Sequence, residues 1–238
     1  MNQNRLITFI QGKSESKIYI QSLVFNIVFL FVFLTISILL YTPTYRITEH
    51  EISHLDDLVY NPFGLWFFKI AMIGGGLWFL PLVGYLYRQM HDYSLIFGTA
   101  AGFFYICSAV GMIMIGFFPT YVSHEMHIVG AGFGFAGLLL SVLCTIIVII
   151  LSFKRNFDKI ILVVSLIFFV PFLAVYISAI ILAGYPVLLS MQAGIAFGEF
   201  TPDGWYLIEW LMFLSGMYST IGTMIIFSLI LPKRLRNQ

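Results

Sequence analysis

Ile18–Tyr41 reads IYIQSLVFNIVFLFVFLTISILLY, a run without a charged side chain. A helix needs about 20 predominantly apolar residues to cross the hydrocarbon core of a bilayer, and this run exceeds that length. Five more stretches of the same kind follow: Phe63–Tyr87, Ser94–Phe118, Met126–Phe153, Ile160–Ala183 and Trp205–Leu231. The fold class expected is all-α, an integral membrane bundle of six transmembrane helices forming a single polytopic domain over 1–238. Composition agrees, with 60% hydrophobic and only 10% charged residues and a mean hydropathy of +0.97, far from the values of soluble domains. The run at Ile18–Tyr41 is about twice the length of a signal-peptide core and no small-residue cleavage site follows it, so it reads as a retained helix.

Cytoplasmic loops keep Lys and Arg. Arg5, Lys13 and Lys17 precede the first span, and Arg88 lies between the second and third. Lys154, Arg155 and Lys159 separate the fourth and fifth, and Lys233, Arg234 and Arg236 follow the sixth. All of the twelve Lys and Arg except Arg46 and Lys69 thus fall on one side. The expected topology has both termini in the cytoplasm. Acidic residues gather in or beside the opposite loops, at Glu49, Glu51, Asp56, Asp57, Glu125, Glu199 and Asp203, so the net charge of +1 hides a strong asymmetry. No soluble domain is expected, and nothing resembles a nucleic-acid-binding surface, leaving membrane lipids as the expected partners.

Packing in lipid depends on small residues, because the hydrophobic effect no longer drives helices together. Gly98 and Gly102, then Gly130, Gly132, Gly134 and Gly137, and finally Ser215, Gly216, Ser219, Thr220 and Gly222 are the expected contact faces. Pro81 and Pro171 are expected to bend the second and fifth spans. Cys107 and Cys144 fall about 10 Å apart in depth at 1.5 Å per residue, which argues against a disulfide.

Ionisable side chains inside apolar spans are functional candidates, because lipid penalises them. Lys69 and Glu209 sit at comparable shallow depth near the outer surface, and His127 enters the apolar run of the fourth span. The three are expected to line a polar pocket at the outer leaflet, with Lys69 and Glu209 either paired or separately reaching the headgroups. The inner halves of the spans hold no ionisable residue beyond their ends, so no transport pathway is expected.

The outer loop Thr42–Pro62 contains His50-Glu51-Ile52-Ser53-His54, the spelling of H-E-x-x-H, in which two imidazoles one helical turn apart hold zinc and the glutamate activates water. A metal reading takes His50, His54, Asp57 and His124 as ligands and Glu51 as the catalytic base of a metal-dependent hydrolase. Against it stand the loop context and the lack of a third ligand at standard spacing; a solvated acidic loop accounts for the same residues. His124 and His127 stand three apart on the first turn of the fourth span, expected to face similarly, with Ser123 as N-cap and Glu125 near the positive end of the helix. Val187–Phe200 is apolar but too short to span, and an interfacial or re-entrant segment is expected there.

Asn61-Pro62, the Gly74–Gly76 run, and Gly116-Phe117-Phe118-Pro119 followed by His127 together resemble the prokaryotic domain-of-unknown-function 998 membrane family, related to the eukaryotic DRAM, FRAG and Sfk proteins. The resemblance implies a six-helix bundle with both ends cytoplasmic, and maps the family's Phe-Pro and histidine onto Phe118, Pro119 and His127. It implies an association with lipid remodelling, lipid asymmetry or autophagy by way of the eukaryotic relatives. The leading expectation is a protein that binds or organises membrane lipid. The alternatives are the zinc hydrolase and a non-enzymatic assembly subunit.

Overall fold

The structure is a computed structural model that describes residues 3–153, 159–193 and 205–231. A short helix α1 (Gln3–Ile10) precedes α2 (Ser16–Leu39), α3 (Gly64–His91), α4 (Leu95–Phe117), α5 (His124–Phe153), α6 (Lys159–Ala193) and α7 (Trp205–Ile225), the last continued by a π-helical turn over Ile226–Ile230. Six of these helices are long and apolar enough to cross a membrane. Their outward faces carry Val24, Val28, Ile106, Ile167 and Ile181, all exposed, which is stable only where the solvent is hydrocarbon. The chain is a multi-pass transmembrane bundle. The apolar runs therefore mark the helices closely, with two differences.

The first lies before α2. Gln3–Ile10 winds into α1, and the turn after it passes through Gly12, whose φ of +71° suits a residue without Cβ. Tyr19 fixes this turn by donating its hydroxyl to Phe9 O at 2.8 Å, and its ring stacks on Tyr85 with centroids 4.3 Å apart. The second lies in α6, which does not stop at Ala183 but runs on to Ala193. The part of Val187–Phe200 up to Ala193 is thus the end of a long helix, with Pro186 tolerated inside it; the rest of that segment lies outside the described residues. Pro81 likewise lies within a continuous α3.

Helices α2 to α5 pack on one another in chain order, most closely where α4 meets α5 and α3. Glycine makes those approaches. A Cβ on Gly137 of α5 would stand 2.9 Å from Phe104 O and 2.8 Å from Ser108 N of α4, and one on Gly76 of α3 would stand 2.7 Å from Ala109 O. Gly132, one of the expected contact glycines, has nothing within 4 Å of such a Cβ. Helices α6 and α7 pair with each other, and α7 touches α2 and α5 only lightly. A space is left between α7 and the four-helix unit.

The connection from α2 to α3 folds over one end of the bundle, here termed the loop end. Within it Ile52–Asp56 forms a 3-10 helix, with Ile52, Leu55 and Asp56 buried. Asn61 locks the return to α3: its Nδ2 donates to Leu55 O at 2.9 Å and to Ser37 Oγ at 3.1 Å, and Gly64 leaves room for its side chain.

Candidate functional site

The space beside α7 is a cavity of about 100 Å³, partly open to the outside. Its walls are apolar, from residues such as Leu30, Phe68, Met72, Phe135, Phe213 and Met217, while His127, Glu209 and Ser53 stand at its loop end. Along α5 the lining runs from His127 to Leu138 and along α7 from Glu209 to Thr220, in each case about 16 Å at 1.5 Å per residue. That depth is close to half the ~30 Å thickness of a hydrocarbon core.

The loop end is built from a buried acid. Asp56, 0% exposed, accepts the Thr120 amide on Oδ2 at 3.0 Å and the Thr120 hydroxyl on Oδ1 at 2.7 Å. Burial raises its carboxyl above the usual carboxylate range, while the two Thr120 hydrogen bonds and the nearby His127 act in the opposite sense. His127 Nδ1 lies 3.4 Å from Asp56 Oδ2 and 3.1 Å from Phe118 O. The Phe118 carbonyl is free for this bond because α4 ends at Phe117, before Pro119, and a residue preceding proline is driven out of the helical region. Since a carbonyl only accepts, Nδ1 carries the proton, and the neutral ring keeps Nε2 as an acceptor. The Phe118-Pro119 pair and His127, distant in sequence pattern, are one arrangement in space.

Glu209 is incompletely satisfied. The Ile52 N–H faces its carboxyl group, yet Oε2 is buried without a hydrogen-bond partner. Asn26, also on the cavity wall and 4% exposed, donates Nδ2 to Gly75 O at 3.3 Å and leaves its Oδ1 unpartnered. One residue along α7, Trp210 donates its indole N–H to the Tyr45 hydroxyl at 2.9 Å, and that hydroxyl donates to Glu51 O at 2.7 Å. Burial pushes the Tyr45 hydroxyl well above its ordinary value, so it stays protonated and available to donate.

Lys69 does not join this group. Its Nζ donates to the Tyr121 hydroxyl at 2.8 Å and lies 4.8 Å from the centre of the Trp66 ring, on the exposed side of α3. Depth matched it to Glu209, but its azimuth around the helix points it elsewhere. Thus His127 and Glu209 meet at one cavity and Lys69 lies outside it.

The His50–His54 stretch also takes another form than the metal reading requires. An α-helical turn would set both imidazoles on one face; instead Glu51 caps the 3-10 helix, exchanging hydrogen bonds with His54 in a capping box. His54 Nδ1 accepts the Glu51 N–H at 2.9 Å, which spends the lone pair and puts the neutral ring's proton on Nε2. His50 Nδ1 is held against the Arg46 backbone, and the two rings stand edge to face, 5.8 Å apart. Glu51 receives the Ser53 hydroxyl at 3.0 Å. Asp57 accepts the amides of Val59 at 2.6 Å and Tyr60 at 3.0 Å. His124 is exposed while His127 is buried, so the two do not face alike. Ser123 does accept the Met126 N–H at 3.3 Å, as its N-cap position leads one to expect. Among the described residues no three His, Cys, Asp or Glu side chains converge as metal ligands.

Sequence reasoning passed over Asn26 and took Asp56 only as an outer-loop acid available as a third metal ligand. Asn26 carried a signal, an amide in the middle of an otherwise apolar span. Asp56 had none, since an acid in a polar loop is ordinary until its partner Thr120 is known.

A family model described as protein of unknown function (DUF998) matches residues 26–217. The chain belongs to the DUF998 family. The DUF998 match runs from Asn26 in the cavity wall to Met217 and includes Asp56, Thr120, His127 and Glu209. No curated protein and no solved structure matches the chain.

Proposed function

We propose that the protein binds a membrane lipid in the cavity beside α7, its polar end against His127 and Glu209 and its chain along the apolar walls. The observation that carries this reading is the buried, unpartnered Glu209 Oε2 at the polar end of an otherwise apolar cavity about one leaflet deep. An unpaired polar atom in such a place costs on the order of 1–3 kcal/mol, and a ligand headgroup offsets that cost. The thin contact of α7 with α2 and α5 supports lateral entry from the bilayer. The asymmetry of Lys and Arg supports both termini in the cytoplasm, so that the polar end of the cavity opens toward the outer leaflet.

Native mass spectrometry of protein extracted with its lipids tests the reading. Gly134 lines the cavity and a Cβ there meets nothing within 4 Å, so Gly134→Leu places bulk in the space from a position where the first added carbon has room. Wild-type protein is expected to retain about one lipid and Gly134→Leu to lose it while keeping its helical content. Wild-type protein free of lipid, or a folded Gly134→Leu with undiminished retention, overturns it.

A further inference from the structure

The polar end of the cavity presents unsatisfied acceptors. Glu209 Oε2 has no partner; His127, with Nδ1 committed to Phe118 O, keeps Nε2 as an acceptor in its neutral form. Deeper in the cavity the free atom is again an acceptor, Asn26 Oδ1. No Lys or Arg among the described residues lines the cavity. Lys69, the nearest cation by depth, is engaged by Tyr121 and Trp66, and Arg46 pairs in solvent with Glu49 at 2.8 Å.

A carboxyl group in a low-dielectric site holds either a proton or a counter-cation. An anionic headgroup would find few donors there and no Lys or Arg among the described residues. A headgroup with N–H donors and positive charge satisfies Glu209 Oε2 and the His127 acceptor together, and charge-assisted hydrogen bonds are the strong class. We propose that the ligand of this cavity carries a protonated amine at its polar end, on a long apolar chain. This specifies the headgroup class and rests on the lipid-binding reading above.

The test exposes purified protein in nonionic detergent to hexadecylamine, hexadecanol, hexadecyl phosphate and butylamine at equal concentration, with adducts read by native mass spectrometry. Hexadecylamine is expected to exceed hexadecanol and hexadecyl phosphate by about tenfold or more, the range of a charge-assisted hydrogen bond. Glu209→Gln is expected to erase that preference. Equal retention of the three hexadecyl probes, or preference for the phosphate, overturns the amine and leaves lipid binding standing; retention of none overturns both. Butylamine matching hexadecylamine overturns a lipid-borne amine in favour of a free one. An amine preference that survives in folded Glu209→Gln overturns the role given to that carboxyl. If Glu209→Gln does not fold, the headgroup ranking of the wild-type protein still decides.

Discussion

Thr120 occupies both carboxylate oxygens of Asp56 at once, through its amide at 3.0 Å and its hydroxyl at 2.7 Å. The contact spans the loop after α2 and the turn between α4 and α5, segments far apart in the chain, and it sets the acid that stands beside His127 Nδ1. Asp56→Ala is expected to destabilise the protein by about 1–3 kcal/mol, because the Thr120 amide is left without its acceptor. A double-mutant cycle with Thr120→Val should return a coupling energy of about 0.5–3 kcal/mol in denaturation measurements. Additive losses would mean the two residues act independently.

The same carboxyl gives stability a pH dependence. Burial raises the native value of Asp56 above its ordinary 3.8, so the folded protein holds the proton over a range in which the unfolded chain has released it. Stability therefore falls as pH rises from about the ordinary value through the raised one, and is level above it. Asp56→Asn is expected to remove this slope. Thermal unfolding of both proteins across the acidic range measures it, and identical profiles would contradict the assignment.

Tyr45→Phe removes the acceptor of the buried Trp210 indole N–H, with an expected loss of about 1–3 kcal/mol. The double substitution with Trp210→Phe should cost less than the two single losses combined, since no polar atom is then stranded. Chemical denaturation in detergent reads both.

Gly137→Ala is expected to destabilise the bundle, because its Cβ would stand under 3 Å from the α4 backbone, whereas Gly132→Ala should be nearly neutral. The pair separates a contact glycine from a lipid-facing one. Equal melting temperatures for the two variants would argue against the α4–α5 approach described here.

Both termini are expected in the cytoplasm. In a background carrying Cys107→Ser and Cys144→Ser, a cysteine at exposed Val59 should react with an impermeant thiol reagent in intact cells. One at exposed Glu15 should not react. The reverse pattern would invert the bundle.

Much of this molecule is legible in its sequence for one physical reason: a helix in lipid must be apolar along its whole length, so the six runs reveal six long apolar helices. The site is legible only where the same rule is broken. His127 and Glu209 stand out as ionisable groups at the edges of apolar runs, and both line the cavity. Lys69 stands out equally and lies elsewhere, because sequence gives depth along a helix more readily than the direction a residue faces around it. His50–His54 misleads for a related reason: its spacing matches an α-helical turn, and the loop instead makes a capped 3-10 helix. Asp56 is invisible in advance because its meaning comes wholly from Thr120.

The loose seam beside α7 also sets an order of assembly. Four helices, α2 to α5, meet successive neighbours and can settle as each leaves the ribosome, since their contacts are local in the chain. Asn26 and His127 by then line a space that lacks its α7 wall. Only when α7 follows α6 into the membrane does that space acquire its last wall and Glu209. The wall that closes the cavity is thus the last of its parts in the order of the chain.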